Sequence, residues 1–312
     1  MHAHRSTATT AGEPAQLNAD FPTLQQHSSH WTLNKKQHAG FTLIATALLQ
    51  HISVANELEE DHRVKHLSDK IRLLFQEILP ATQQLLTYLG GSGGTGKSRV
   101  IQAVVDFARR WHSSSAIVIC ASCGAAAVLI GGCTLHSALG IHISLNPPDP
   151  TEEQILAWSH IGVLFIDEFS MINPALFDLT DSRLRKLKGR LDLPFGGIHV
   201  VFCGDFYQLP PIGACIYKPP TASETSQDNH AIATMRGIQL WKDCLSDAIE
   251  LTENHRQADP KWAASLERWR VNQPTAQDIE EVNARFIEDG TSLMQPPPHT
   301  IIAVSQNVSR EG

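Results

Sequence analysis

The stretch Gly90-Gly91-Ser92-Gly93-Gly94-Thr95-Gly96-Lys97-Ser98 decides the fold of this chain. From Gly91 to Ser98 it matches the phosphate-binding pattern G-x-x-x-x-G-K-[ST], whose glycines let several backbone N–H groups converge on one anion. The apolar residues 85–89 before it predict a buried strand, and apolar residues after it recur at helical spacing as far as Trp111. A strand, a glycine-rich loop and a helix N-terminus in this order predict a site for the phosphates of a nucleotide.

Each position of this pattern has an expected role. Lys97 would place its ammonium on the β- and γ-phosphates, and the Ser98 hydroxyl would hold Mg²⁺. The residues of this stretch that we predict to bind the nucleotide are Gly91, Gly93, Gly94, Thr95, Gly96, Lys97 and Ser98.

Composition limits the function classes that the chain can belong to. With 312 residues, 42% of them hydrophobic and 18% charged, the chain is typical of a globular protein of about two domains. A net charge of −7 argues against a basic coat for nucleic acid but leaves room for a local basic groove. The six scattered cysteines favour a reducing compartment, and we expect no secretory signal and no membrane segment.

Apolar patterns divide the chain into five predicted segments. Residues 1–30 are predicted to be disordered, and residues 31–80 to be a helical segment that leads into the first domain. Strands and helices alternate through residues 81–218, which predicts a parallel sheet with helices on both faces. Residues 219–247 are predicted to be a linker, and residues 248–312 the beginning of a second domain.

Two further strands should deliver polar residues to the same edge of the sheet as the phosphate loop. The strand 163–166 ends in Asp167 and Glu168, which we expect to hold Mg²⁺ and to polarise the attacking water, respectively. The strand 199–203 leads to Gln208, whose amide is suited to orient water or contact a γ-phosphate. Arg256, after a short strand near residue 250, is a candidate for stabilising the charge that develops on that phosphate.

Taken together, these segments resemble the petite-integration-frequency (PIF-type) family of 5′→3′ DNA helicases, which includes the helicase parts of rolling-circle (Helitron) transposons. The resemblance runs from about Trp31 to the end of the chain. The segments that carry it are Leu33–Gln37, Gly91–Ser98, Ala121–Ala127, Gly131-Gly132, Thr134–Ser137, Asp167–Met171 (D-E-x-S-M), Gly204–Pro211 (G-D-x-x-Q-L-P-P) and Arg256 within L-x-x-x-x-R-Q.

The resemblance implies a RecA-like fold in residues 81–218 and an incomplete second RecA-like domain in residues 248–312. It implies that Gln37 reads adenine, that ATP and Mg²⁺ are the cofactors, and that the partner is single-stranded DNA. Contacts to that DNA would come from Ser122, Cys123, Gly124 and His136. Two of these positions depart from the family, which usually has proline at 122 and threonine at 123. The family acts in repair, recombination and telomere maintenance, in the nucleus or the mitochondrion.

The chain lacks the family's later motifs, so we expect a truncated member that binds ATP and does not unwind DNA alone. Two alternatives stay open. One is a non-catalytic fragment that binds nucleotide or DNA. The other is a different phosphate-loop enzyme, a kinase or GTPase. Three features argue against it: the Asp167-Glu168 pair, the Gln208 segment and the lack of a guanine-reading N-K-x-D segment.

Overall fold

The computed structural model describes residues 21–57, 83–141, 147–218 and 228–284. The chain divides into two compact units, Met1–Asp259 and Pro260–Gly312. The strand predicted near residues 300–304 lies outside the described residues, as does most of the predicted disordered tail.

A six-stranded sheet forms the centre of the first unit. Its strands are β1 (Leu86–Gly91), β2 (Ile117–Ala121), β3 (Cys133–Thr134), β4 (Val163–Asp167), β5 (His199–Gly204) and β6 (Asp247–Leu251). The order across the sheet is β3-β2-β4-β5-β1-β6, and every pairing is parallel. The carboxyl ends of all six strands therefore lie at one edge, where ligands bind in folds of this kind.

Helices cover both faces of the sheet, which confirms the predicted fold class. The described helices of the first unit are α1 (Leu24–His30), α2 (Lys35–Glu57), α3 (Lys97–Arg110), α4 (Gly124–Leu129), α5 (Leu135–Leu139), α6 (Glu152–Ser159), α7 (Pro174–Lys188) and α8 (Asn229–Cys244). Successive residues of β4 show why both faces of the sheet must be covered. Val163 and Phe165 pack in the core under α2 and α3, whereas Leu164 and Ile166 pack in the core under α5 and α7.

Helix α7 is capped at both ends. The Asn173 side chain accepts a hydrogen bond from the Leu176 N–H at 2.8 Å, and Pro174 occupies the first turn. The helix ends at Gly189, whose φ of 62° is the left-handed conformation that glycine adopts without strain.

The prediction of disorder for residues 1–30 is wrong at its carboxyl end. Thr23 and Gln26 form a capping box that begins α1, and the helix packs against the core through His27. The His27 ring stacks on Phe41 and bonds to the Ala103 carbonyl at 2.9 Å. Burial lowers the pKa of His27 to about 4, so the ring is neutral at pH 7 and donates its N–H to that carbonyl.

The linker predicted at residues 219–247 contains a packed helix. α8 lies against α7, and Trp241 inserts among the rings of Phe169, Phe177 and Phe202. The two helices approach closely because Gly237 lacks a Cβ atom, which would overlap the Pro174 carbonyl.

The second domain does not begin at residue 248 as predicted, because β6 pairs with β1 and completes the first sheet. In the second unit, the structure describes α9 (Pro260–Arg270) and α10 (Ala276–Asn283). These two helices are joined by a bidentate pair in which Arg268 donates to Asp278 at 2.7 and 2.6 Å.

Leu48 on α2 offers a test of how the first unit is held together. Its side chain is fully buried in the core that α2 and α3 share, so Leu48→Ala removes apolar contacts and leaves a cavity. We expect a loss of about 2–5 kcal/mol in the free energy of unfolding, measured by chemical denaturation. Val54→Ala on the same helix is the control, because Val54 is 49% exposed and should cost less than about 1 kcal/mol. Equal losses for the two variants would contradict this packing.

Candidate nucleotide-binding site

The phosphate loop joins β1 to α3 and depends on glycine at three positions. Gly91, Gly94 and Gly96 have φ values of 150°, 91° and 91°, which other residues adopt only with strain. A Cβ atom at Gly91 would lie 2.6 Å from both the Leu251 carbonyl and the Thr95 hydroxyl. The loop therefore cannot keep this shape with side chains at those positions.

Backbone donors of the loop are available to an anion. Among the described residues, the N–H groups of Gly93, Gly94 and Gly96 have no hydrogen-bond acceptor. The loop runs into the N-terminus of α3, a helix of 14 residues whose dipole favours negative charge at this end. This donor set fits a polyphosphate.

Lys97 and Ser98 lie at the start of α3. The Lys97 ammonium donates to the Gly91 carbonyl at 2.6 Å and to the Ser92 carbonyl at 3.4 Å, so it is folded back over the loop. Ser98 is exposed, and its hydroxyl bonds to no other described residue. A cation and a free hydroxyl thus flank the loop where the motif requires them.

Two carboxyl groups, those of Asp167 and Glu168, lie at the carboxyl end of β4, at the same edge of the sheet. Burial raises the pKa of Asp167, and the nearby Lys97 charge opposes that rise. Burial also raises the pKa of Glu168, and the charges of Asp167 and Asp205 raise it further while that of Lys97 lowers it. Glu168 has a left-handed backbone (φ 51°, ψ 42°), a conformation that is uncommon for a residue other than glycine. The charge of Lys97 therefore acts on both carboxyl groups.

The turn after β5 contains an acid that the sequence analysis did not select. Asp205 is buried, and its carboxylate accepts hydrogen bonds from the Tyr207 N–H at 3.1 Å and the Gln208 amide at 3.2 Å. Gln208, the predicted sensor, is exposed and held by this contact at the ligand edge of the sheet. The sequence signal that could have identified Asp205 is an acid directly after an apolar strand.

The segment that carries Arg256 lies against the phosphate loop. The His255 N–H donates to the Gly94 carbonyl at 2.9 Å, and the Asn254 amide donates to the Gly93 carbonyl at 3.0 Å. A Cβ atom at Gly93 would lie only 3.2 Å from the Arg256 guanidinium. The structure therefore brings Arg256 to the loop within the first unit.

Gln37 lies on the other side of the loop, in the first turn of α2. Its amide N–H donates to the Thr95 carbonyl at 3.0 Å, and its amide oxygen accepts from the Asn34 N–H at 3.1 Å. The Asn34 side chain in turn accepts from the Gln37 N–H at 2.9 Å and lies 3.4 Å from the His255 ring. Within the described residues, one N–H and one lone pair of the Gln37 amide are left without a partner.

The four predicted DNA contacts follow β2 and β3, at the same edge as the phosphate loop. Ser122 and Cys123 leave β2 beside β4, and the Ser122 N–H donates to the Asp167 carbonyl at 3.2 Å. Gly124 begins α4 with open space around its α-carbon, and His136 lies in α5 with its side chain partly exposed. The DNA candidates and the acidic pair are therefore neighbours across the sheet.

Two members of the basic run 183–190, Arg183 and Lys188, bond to other parts of the protein. Arg183 is buried and donates to the carbonyls of Leu139 and Pro148 and to the Gln154 side chain. Lys188 donates to three carbonyls at the end of α6. Both cations bond to neutral oxygen atoms of the protein, so neither is available for a nucleic-acid phosphate.

Arg183 can be tested against an exposed neighbour. Arg183→Ala leaves the buried Leu139 carbonyl without a donor, and we expect a loss of about 1–3 kcal/mol in the free energy of unfolding. Arg190→Ala is the matched control, since its side chain is 57% exposed, and should change that free energy by about 0.5 kcal/mol or less. Denaturant titration of both variants decides the point, and a small loss for Arg183→Ala would show that its bonds do not stabilise the fold.

Comparison with known proteins gives a consistent result. The family model described as PIF1-like helicase matches residues 66–273. The yeast ATP-dependent DNA helicase RRM3 is 35% identical over 204 residues, which are 62% of this chain and 26% of that protein. The Xenopus laevis ATP-dependent DNA helicase PIF1 is 31% identical over 234 residues, which are 72% of this chain and 34% of that protein.

Among solved structures, a Bacteroides Pif1 helicase in complex with ADP-AlF3 and single-stranded DNA is similar to this chain. The TM-score is 0.51 at 25% identity, and the match covers 73% of this chain and 51% of that one. This chain thus spans about a quarter to a third of the length of the curated relatives it matches. None of its described helices has the length and apolar character needed to cross a membrane.

Proposed function

Because this chain belongs to the PIF1-like helicase family, we propose that it is the ATP-hydrolysing core of a DNA helicase that translocates 5′→3′ on single-stranded DNA. One observation carries the proposal. A lysine, two acids and an arginine from three separate segments meet around a single phosphate loop. Hydrolysis at a γ-phosphate needs this combination of charges. Cations stabilise the negative charge on the phosphate, and a carboxylate activates the attacking water.

In the proposed reaction, ATP binds with its phosphates on the loop amides and the Lys97 ammonium. Ser98 and Asp167 would hold Mg²⁺, which would supply positive charge to offset that of the phosphate oxygens. Glu168 accepts a proton from the attacking water, whose oxygen bonds to the γ-phosphorus as the bond to the ADP oxygen breaks. Gln208 orients that water, and Arg256 stabilises the charge on the γ-phosphate.

We further propose that Gln37 selects adenine. The amide keeps one N–H and one lone pair after its bonds to Thr95 and Asn34, and adenine offers one acceptor and one donor on its N7–N6 edge. The amide of Gln37 is also held in a fixed orientation by those two bonds. We expect Gln37→Ala to weaken discrimination between ATP and GTP.

The proposed DNA partner would lie along the ends of β2 and β3. Ser122, Cys123, Gly124 and His136 offer backbone and side-chain donors there, next to Asp167, so DNA and nucleotide would act on neighbouring segments. Contacts of this kind read the DNA backbone and imply little sequence preference. We propose roles in repair, recombination and telomere maintenance, in the nucleus or alternatively the mitochondrion, because the similar yeast protein is named a DNA helicase.

ATP hydrolysis by this chain, with and without single-stranded DNA, tests the proposal. We expect turnover that rises with DNA and falls at least about 100-fold in Lys97→Ala and Glu168→Gln. Lys242→Ala and Glu153→Gln are the matched controls, because both side chains are exposed and distant in sequence from the site. Binding of a fluorescent ATP analogue is measured in parallel. Binding without turnover would refute hydrolysis by this chain, and absence of binding would refute the site.

The pH dependence of hydrolysis gives a second test. Glu168 must be ionised to accept a proton, and burial raises its pKa, with Asp167 and Asp205 adding to the effect. Activity should therefore disappear, as the pH falls, at a higher pH than an exposed glutamate would give. Asp205→Asn removes one neighbouring negative charge and should move this acid limb to lower pH. An unchanged or higher limb would contradict the role of Glu168.

A further inference from the structure

The segment that carries Arg256 is anchored to the phosphate loop by one side chain, that of Asn254. The Asn254 amide N–H donates to the Gly93 carbonyl at 3.0 Å. The amide oxygen of the same side chain accepts from the backbone N–H groups of Arg256 at 2.9 Å and Gln257 at 3.2 Å. One residue thus shapes the turn that presents Arg256 and fastens that turn to the loop.

A neighbouring contact strengthens this anchor. The His255 N–H bonds to the Gly94 carbonyl at 2.9 Å, so two successive carbonyls of the loop are held by the arginine segment. A peptide unit is planar and trans, so a carbonyl held on one side turns the following N–H to the other side. The Gly94 N–H, in the peptide whose carbonyl bonds to Asn254, therefore points away from the Asn254 side chain and remains a free donor among the described residues.

The arginine segment packs closely against the loop at Gly94. A Cβ atom at Gly94 would overlap the Arg256 Cβ atom and lie 2.9 Å from the Asn254 amide oxygen. The family pattern L-x-x-x-x-R-Q fixes the arginine and leaves position 254 unspecified, so nothing in that pattern explains why an asparagine stands here.

We propose that Asn254 is a positioning residue that holds the Arg256 guanidinium over the phosphate loop before ATP arrives. This inference rests on the proposed function, because it assumes that Arg256 contacts the γ-phosphate. An arginine that is already in place loses less side-chain entropy on meeting the phosphate, so the anchor contributes to the recognition of ATP over ADP.

Substitution at position 254 separates the bond that the side chain donates from the two that it accepts. Asn254→Asp keeps the oxygen that accepts from the Arg256 and Gln257 N–H groups, and it replaces the donor to Gly93 by a carboxylate that repels the carbonyl. Asn254→Leu removes all three bonds. Asn283→Asp, at an exposed asparagine in the second unit, is the control for the added charge.

The readout is the ratio of affinities for a non-hydrolysable ATP analogue and for ADP, measured by calorimetry on the full chain. We expect Arg256→Ala to lower this ratio at least about 10-fold and Asn254→Asp to lower it several-fold, with a smaller loss of ADP affinity and an unchanged melting temperature. The double variant should match Arg256→Ala alone, because Asn254 acts through the arginine. The same non-additivity is expected in kcat for ATP hydrolysis.

Three results would overturn the inference. One is an unchanged ratio in Asn254→Asp, and another is a further fall of the ratio when Asn254→Asp is added to Arg256→Ala. The third is an unchanged ratio in Arg256→Ala, which would show that the arginine does not sense the γ-phosphate. Failure of the proposed function gives a different result from failure of this inference. If the proposed function is wrong, Lys97→Ala leaves ATP binding intact, whatever the variants at 254 and 256 do.

Discussion

The register of β1 in the sheet is the constraint on which the rest of the structure depends. Gly91 pairs with Leu251 of β6 on one side, and Gly90 pairs with Gly204 of β5 on the other. Three strands therefore end at the same height, and the segments that follow them leave the sheet side by side. The phosphate loop meets the arginine segment for this reason and needs no second domain to do so. A shift of β6 by one residue would remove the carbonyl bonds to Gly93 and Gly94.

Burial of the Asp167 and Glu168 carboxyl groups determines much of the electrostatics of the site. The carboxyls after β4 lie partly inside the protein, where the charged form is disfavoured, and the Lys97 charge offsets part of that cost. The Lys97 ammonium itself donates to the carbonyls of Gly91 and Ser92. One cation and two carboxyl groups are therefore held together at the edge of the sheet, in an environment that disfavours the charged form of both acids.

The sequence predicts those parts of the structure in which local pattern and tertiary role coincide. The phosphate loop, β4 with its acids and the capped helix α7 are of this kind, because glycine spacing, apolar runs and an Asn-Pro start are local signals. Helix α8 escaped prediction because its buried positions include Thr234 and Gly237, so the apolar period is broken. The place of β6 in the sheet is a long-range property that no local pattern carries. The burial of Arg183 runs against the usual exposure of a charged residue type, and it depends on long-range bonds to Leu139, Pro148 and Gln154 that no local pattern carries.

A crystal structure of this chain with Mg²⁺, ADP and aluminium fluoride would show whether one unit supplies both the phosphate loop and the arginine that we propose reads the γ-phosphate. We expect the Arg256 guanidinium within hydrogen-bond distance of the fluoride, with the Asn254 bond to Gly93 retained. An aluminium fluoride bound on the loop with Arg256 turned away from it would contradict this assignment of Arg256.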